Sequence, residues 1–182
     1  MKHKIPVMYI LASDHSGSTL TDLILGSHSS IESAGEIDRF DKFTSDRHSV
    51  DKIQRICTCG QQINQCQYWT KVRWELKKIC GKTEVNLNSE NPTEFIESNY
   101  YFISAILQTS GKKIFCDSSK NYKRLEKFLK SNLFDVHIVH LVRDGRAVAF
   151  SLKSKGERKG DLKRKIYNYY QGIKFWKKQN SQ

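Results

Sequence analysis

The sequence predicts an α/β protein with three layers around a central, largely parallel sheet. Three short apolar runs are each typical of a buried strand, and a helical pattern of apolar residues follows each run. Repeated strand–helix units favour parallel strands joined by crossover helices. A length of 182 residues suits one hydrophobic core, so residues 1–182 are expected to form a single domain.

The first strand–helix unit begins with the apolar run Val7–Ala12. A loop rich in Ser and Gly follows this predicted strand. A helical pattern then places apolar side chains on one face, namely Leu20, Leu23, Ile24 and Leu25. The N-terminal part of the chain is therefore predicted to be a strand, a polar loop and a helix.

The second and third units repeat this arrangement nearer the C-terminus. The run Lys113–Asp117 reads as a strand, and Leu125, Phe128 and Leu129 follow it at helical spacing. The run Val136–Val142 is rich in β-branched residues, which favour strands. The predicted helix after it has an apolar side formed by Ala147, Val148 and Phe150.

A mostly helical region separates the first and second predicted strands. Its clearest helix is Thr93–Leu107, while the polar stretch 81–92 is predicted to be a loop. The apolar side of this helix consists of Phe95, Ile96, Phe102, Ile103 and Ile106. A last helix is predicted over Leu162–Lys178, with Ile166, Tyr169, Tyr170, Ile173 and Trp176 on one face.

The charge of the chain points to anionic partners. The formal net charge is +12 and the pI is near 9.5. Residues 153–178 contain ten Lys or Arg and two acidic residues, and their aromatic side chains suit stacking on bases. Nucleic-acid binding is therefore one alternative, although the sequence contains no recognised nucleic-acid module.

No apolar run approaches the roughly 18 residues of a membrane span, so a cytoplasmic protein is expected.

The five cysteines are an odd number without a secretory signal, which argues against a disulfide framework. Cys57, Cys59 and Cys66 form the closest group. A zinc site commonly needs a fourth ligand, for which His48 is the nearest candidate. Buried structural thiols are the favoured interpretation, and no metal is expected.

The loop after the first strand has the composition of an anion-binding site. Ser16, Gly17, Ser18 and Thr19 open the helix, where free backbone N–H groups and the helix dipole attract negative charge. An ordinary N-cap is the alternative. The loop lacks the first Gly and the Lys of the nucleoside-triphosphate loop, which disfavours a magnesium nucleotide and a small-molecule kinase.

Polar clusters stand at the ends of all three predicted strands, where ligands of parallel sheets bind. They are the Ser/Gly loop, the run Asp117-Ser118-Ser119-Lys120, and Arg143 with its neighbours. An Arg at a strand end can bind a phosphate through two parallel hydrogen bonds, and Ser151 lies about two helical turns further on. These residues predict one binding site at the carboxyl edge of the sheet.

These motifs resemble those of sulfotransferases that use 3′-phosphoadenosine 5′-phosphosulfate (PAPS). The run from Ser16 to His28, with Gly35 and Glu36 after it, is similar to the family's 5′-phosphosulfate loop, most of all in the bacterial and tyrosylprotein-type branches. The Lys120 segment resembles the family's lysine segment, and Arg143 with Ser151 resembles its 3′-phosphate motif. The resemblance spans about residues 7–178 and implies a P-loop-like sulfotransferase fold.

The resemblance implies transfer of a sulfuryl group from PAPS to a hydroxyl or amine acceptor on a sugar, lipid, peptide tyrosine or small phenol. It assigns Glu36 as the general base, with His15 and Lys120 stabilising the bridging and leaving oxygens. The residues assigned to the 5′-phosphosulfate are Ser16, Gly17, Ser18 and Thr19, and those assigned to the 3′-phosphate are Arg143 and Ser151.

The chain departs from the family pattern in two places. His15 stands where the family usually has Arg or Lys, and only a protonated histidine matches that charge. Members of the family also continue past the position of Gln182 with a further strand and a basic segment. A truncated, non-catalytic protein that binds PAPS or adenosine 3′,5′-bisphosphate is therefore the main alternative.

Overall fold

A computed structural model describes residues 3–40, 56–154 and 174. Its sheet has four strands in the order β2-β3-β1-β4, and every pair of neighbours is parallel. Val7 lies opposite Phe115 on one side and Val136 on the other, which fixes the register of the three predicted strands. The strands are β1 (Ile5–Ala12), β2 (Ile31–Ser33), β3 (Ile114–Asp117) and β4 (Phe134–Leu141). The predicted α/β fold with a parallel sheet is confirmed.

Within residues 3–40 and 56–154 the α-helices are, in chain order, α1 (Ser18–Gly26), α2 (Gln67–Cys80), α3 (Pro92–Ser110), α4 (Tyr122–Leu129) and α5 (Gly145–Ser154). A short 3₁₀ turn covers Ile37–Arg39. Asparagine side chains fix the starts of α3 and α4: Asn91 accepts a hydrogen bond from the Glu94 N–H, and Asn121 accepts from the Lys123 N–H. None of the helices described is long and apolar enough to cross a membrane.

The two faces of the sheet bury different helices, which gives the three layers. Val7, Tyr9 and Leu11 of β1 point into the main core, where α2, α3 and α4 pack. Ile10 points to the opposite face and packs with a smaller cluster that includes Leu25 of α1. The apolar sides predicted for α3 and α4 are confirmed by buried residues, namely Phe95, Phe102, Ile103, Ile106, Leu125 and Phe128.

The apolar face predicted for α1 is largely exposed. Only one of its four residues packs against the sheet, and the other three are more than half exposed: Leu20 (63%), Leu23 (66%) and Ile24 (61%). Apolar periodicity shows which side chains share a face, but it does not show which face the sheet covers. The predicted helix is present, but most of its apolar face lies outside the core.

Helix α1 instead turns a polar side chain and a glycine towards the sheet. Asp22 Oδ1 accepts hydrogen bonds from Ser33 Oγ at 2.5 Å and from Cys116 Sγ at 3.6 Å. A Cβ added to Gly26 would lie 3.2 Å from the Cβ of Ser33, so this end of the helix approaches β2 more closely than a larger residue allows. These contacts orient α1 and leave the leucine-rich face outward.

The short strand β2 was not among the predicted elements. Its three residues include a central glutamate, so the run is too short and too polar to show strand periodicity. The predicted helix Leu162–Lys178 and the basic segment 153–178 lie almost entirely outside the described residues, as does His48.

Candidate functional site

The loops after all four strands meet at the carboxyl edge of the sheet because the strands are parallel. Each loop contributes one of the predicted site residues: His15 after β1, Glu36 after β2, Lys120 after β3 and Arg143 after β4. Contacts between these loops divide the site into two clusters. One joins Glu36 to Lys120, and the other joins His15 to Arg143.

The predicted anion loop forms a tight turn into α1. Gly17 has a φ of 92°, a left-handed conformation that suits glycine, and the helix begins at Ser18. Ser18 is buried and Thr19 is exposed, while the Oγ atoms of Ser13 and Ser16 lie 2.5 Å apart. No side chain in the described part of the chain caps this helix. Its first turn therefore presents backbone N–H groups and the positive end of the helix dipole at the carboxyl edge.

Lys120 and Glu36 form an ion pair across 84 residues of sequence. The Nζ atom of Lys120 also lies 3.5 Å from Asp14 Oδ1. The other carboxylate oxygen of Glu36 lies 2.8 Å from Arg39 Nη1. Lys120 is 13% exposed and Glu36 is 27% exposed. The pair thus forms the centre of a partly buried chain of four alternating charges.

Sequence reasoning missed the two outer members of this chain, Asp14 and Arg39. Arg39 lies three residues after Glu36, the spacing at which side chains meet on a helical turn, so its pairing could have been predicted once a turn was assigned there. Asp14 adjoins His15 in the loop after β1, and its proximity to Lys120 depends on the neighbouring positions of β1 and β3 in the sheet.

His15 and Lys120 both have left-handed backbones, with φ values of 64° and 61°. Residues other than glycine rarely adopt this conformation, which commonly costs about 1 kcal/mol or more. They are the only described residues other than glycine with a positive φ. Both were predicted to stabilise the leaving group, and backbone strain of this kind is frequent at functional sites.

Arg143 and Ser151 are brought together around His15. The Nη1 atom of Arg143 donates a hydrogen bond to the His15 carbonyl at 2.7 Å, and Ser151 Oγ lies 3.2 Å from His15 Nδ1. The structure therefore places these two residues against the anion loop. The exposed ion pair of this segment joins Asp144 to Arg146 at 2.7 Å and leaves Arg143 outside it.

Asp117 is a buried residue that supports the site from the interior of the protein. Its carboxylate is fully buried and accepts from Arg124 Nε at 2.9 Å and from the Ser119 N–H at 2.9 Å. Arg124 also donates to the Leu87 carbonyl at 3.2 Å and to Asn99 Oδ1 at 2.5 Å. Sequence reasoning grouped Asp117 with the binding residues, but these contacts make it a structural anchor at the end of β3.

Asp38 is a second buried carboxyl group in this region. Its backbone N–H donates to Ser119 Oγ at 3.1 Å, while its Oδ1 atom is buried without a hydrogen-bond partner among the described residues. Burial, followed by the nearby Asp117 carboxylate, raises the pKa of Asp38. Asp117 and Ser119 lie about 80 residues from Asp38 in the chain, so spacing in the sequence gave no signal for this contact.

A cleft of about 870 Å³ opens beside Glu36. Its wall includes Glu36 and Arg39 together with the aromatic side chains of Phe40, Tyr68 and Trp69. The rings of Phe40 and Trp69 pack with their centroids 4.4 Å apart. An apolar cleft with a few charged groups at one end is typical of a small-molecule site.

Comparison with known proteins identifies the family of this chain. The model of the sulfotransferase family matches residues 6–181, nearly the whole chain. Searches of curated proteins and of solved structures returned no match. The matched range covers the four strands except Ile5 and includes every predicted site residue, and the family agrees with the parallel sheet described above. The chain therefore belongs to the sulfotransferase family, whose activity is sulfuryl transfer.

Proposed function

We propose that this protein transfers a sulfuryl group from PAPS to a hydroxyl or amine acceptor. The observation that supports this most directly is the ion pair between Lys120 and Glu36 at the carboxyl edge of the sheet. A general base and a cation for the leaving oxygens must lie close together around the reacting sulfur. The pair satisfies this requirement and adjoins both the anion loop and the cleft.

The residues present fit a doubly phosphorylated nucleotide. The first turn of α1 offers backbone N–H groups for the 5′-phosphosulfate, together with the hydroxyl groups of Ser16, Ser18 and Thr19. Arg143 and Ser151, on the other side of His15, are assigned to the 3′-phosphate. When bound, the nucleotide supplies the activated sulfuryl group, and the chain supplies position and charge.

In the proposed mechanism Glu36 takes the proton of the acceptor while the acceptor's oxygen or nitrogen attacks sulfur in line. The bond between sulfur and the bridging phosphate oxygen breaks, and adenosine 3′,5′-bisphosphate leaves. Lys120 gives up its contact with Glu36 and stabilises the leaving phosphate oxygens. Asp14 remains a second partner of Lys120. Arg39 holds the opposite oxygen of Glu36 and orients the carboxylate. His15 contributes a further hydrogen bond near the bridging oxygen.

The cleft beside Glu36 is proposed to hold the acceptor. It is lined by both Glu36 and Arg39 and by aromatic side chains, which suit a ring or an alkyl chain. An acceptor seated there presents its nucleophile to Glu36, while the nucleotide occupies the loop after β1.

The test combines a transfer assay with a binding assay. Transfer from ³⁵S-labelled PAPS is measured with a panel of sugars, lipids, tyrosine peptides and phenols, and binding of adenosine 3′,5′-bisphosphate is measured by calorimetry. Glu36→Gln is expected to lower turnover by about 100-fold or more while nucleotide affinity stays within a factor of two, because a general base acts on the acceptor. Lys120→Ala is expected to lower turnover by a similar factor.

Lys130→Ala is a matched control, since Lys130 forms an exposed ion pair with Glu126 on α4 away from the site. It is expected to leave turnover unchanged. Turnover close to wild type in Glu36→Gln would remove Glu36 from the mechanism. Nucleotide binding by the wild-type protein without transfer to any acceptor would favour the non-catalytic binding protein, and salt-dependent DNA binding unaffected by PAPS would favour the nucleic-acid alternative.

A further inference from the structure

Three cysteines that the proposed transfer does not use lie together beside the cleft. Cys66 Sγ is 3.5 Å from Cys57 Sγ and 3.6 Å from Cys59 Sγ, and all three sulfur atoms lie within 4.8 Å of one another. None of them is in a disulfide. Cys66 is buried, Cys57 is half-buried and Cys59 is exposed. The interpretation as three buried structural thiols is therefore wrong for Cys59.

The spacing of the sulfur atoms suits a shared metal ion. Zinc–thiolate bonds of about 2.3 Å at tetrahedral angles place two sulfur ligands about 3.8 Å apart. The two shortest separations here differ from that value by about 0.3 Å or less. A disulfide needs an S–S distance of about 2.05 Å, far shorter than either separation. Two edges of the triangle of sulfur atoms therefore match one face of a tetrahedral site, and the third edge is no longer than 4.8 Å.

The backbone holds two of the thiols in a tight hairpin. Ile56 and Gln62 form an antiparallel bridge, and the Cys57 N–H donates to the Gln61 carbonyl at 2.7 Å. The Gly60 N–H donates to the Cys57 carbonyl at 2.8 Å, with a φ of 82° that favours glycine. The hairpin thus directs Cys57 and Cys59 towards the same point.

The third thiol comes from a separate and well-packed element. Cys66 is the residue immediately before α2, and its carbonyl accepts a hydrogen bond from the Thr70 N–H at 2.9 Å. Ile63 and Trp69, on either side of Cys66, are buried in the main core. The helix therefore holds Cys66 in place while the hairpin approaches it.

We propose that Cys57, Cys59 and Cys66 bind zinc as a structural site. Binding converts the three thiols to thiolates and releases their protons to solvent. The three ligands form one face of a tetrahedron, and a ligand other than these cysteines completes it. The inference departs from the expectation that no metal is bound, and it assigns the metal no step in sulfuryl transfer.

The position of the cluster gives the site a role. All three cysteines line the cleft that also contains Glu36 and Arg39. A metal ion that joins the hairpin to α2 fixes one wall of that cleft. The proposed zinc site therefore sets the shape of the cleft, whichever molecule occupies it.

The test measures metal directly. The full chain is expressed in zinc-supplemented medium, purified without chelators and analysed for metal by mass spectrometry. We expect about one zinc per chain in the wild type and less than a tenth of that in Cys59→Ser. Cys80→Ser is the matched control, because Cys80 lies at the other end of α2 and donates to the Leu76 carbonyl instead. It is expected to retain the wild-type zinc content.

A second measurement separates loss of ligand from loss of fold. The metal is removed and cobalt is added, which gives thiolate-to-cobalt charge-transfer absorption in a tetrahedral sulfur site. This absorption is expected in the wild type and in Cys80→Ser, and it is expected to be lost in Cys59→Ser with an unchanged circular dichroism spectrum.

Three results would overturn the proposal. They are wild-type protein with neither zinc nor cobalt absorption, equal loss of metal in both serine variants, and metal-free protein with Cys66 in a disulfide to either partner. None of these readouts uses sulfuryl transfer, so failure of the zinc site and failure of the proposed function are distinguishable.

Discussion

Replacing Arg124 by methionine removes the cation from a fully buried ion pair and keeps a side chain of similar length. Arg124 and Asp117 are 2% and 0% exposed, so the Asp117 carboxylate depends on this partner in place of water. Removing one member of a buried pair costs about 3–5 kcal/mol, because the remaining charge stays buried without its counterion. The methionine still packs against Phe95 and Phe128, whose rings lie 5.4 and 4.8 Å from the guanidinium carbon.

The other contacts of Arg124 leave the expected loss of stability within about 3–5 kcal/mol. The Leu87 carbonyl loses Arg124 as a donor but keeps Asn99 Nδ2 at 3.0 Å, so little is added there. The side-chain oxygen of Asn99 loses a donor at about 1 kcal/mol, which lies within the width of the range. The Ser119 N–H still donates to Asp117, so the carboxylate keeps one of its hydrogen bonds in the variant. We therefore expect Arg124→Met to lower the free energy of unfolding by about 3–5 kcal/mol. For a chain of this length that corresponds to a fall in melting temperature of roughly 6–20 °C.

Urea denaturation followed by circular dichroism measures this loss. Lys130→Met, at the residue after the same helix, is the control, because the Lys130–Glu126 pair is 74% and 40% exposed and contributes at most about 0.5 kcal/mol. The double variant Asp117→Asn/Arg124→Met is expected to recover part of the loss, since it no longer contains an unpaired buried charge. A loss in Arg124→Met within 1 kcal/mol of the control would refute the reasoning.

Two further predictions concern the charges around the site. Burial and the Asp117 carboxylate raise the pKa of Asp38. Ionisation of Asp38 therefore destabilises the folded state at pH values above the ordinary carboxyl pKa near 4. Asp38→Asn is therefore expected to raise the free energy of unfolding at pH 7 by on the order of 1 kcal/mol, and urea titrations should show this gain disappearing as the pH falls below 4. Arg143→Ala is expected to weaken binding of adenosine 3′,5′-bisphosphate at least tenfold, about 1.4 kcal/mol, in calorimetry, while Arg146→Ala changes it little because Arg146 pairs only at the surface. Unchanged affinity in Arg143→Ala would contradict its assignment to the 3′-phosphate.

The sheet was predictable because its longer strands are apolar runs that end in polar loops. Those runs correspond to β1, β3 and β4, with ends shifted by one or two residues. The strand β2 is held by pairing with β3, a distant part of the chain, and its own residues show no strand pattern. Glu36 was expected from its position in a motif, but its contact with Lys120 follows from that pairing and could not be predicted from spacing.

The orientation of α1 illustrates the same limit. Its leucines share a face, as the periodicity predicted, but Asp22 rather than that face turns towards the sheet. A hydrogen bond from Ser33 to Asp22 depends on two elements whose relative position is set by the sheet. The pair formed by Asp117 and Arg124 shows a further case. The two residues are seven positions apart in the sequence, yet only the buried contact reveals that they form an anchor.

The parallel sheet has a consequence for how this protein responds to a bound molecule. One residue of the candidate site comes from the loop after each of the four strands, so the site spans most of the described sequence, from His15 to Arg143. A ligand held by several of these loops binds the assembled sheet and not the unfolded chain. By mass action its binding free energy adds to the stability of the whole sheet instead of one loop. Hydrogen exchange in the central strands, far from the ligand itself, would then slow together on binding.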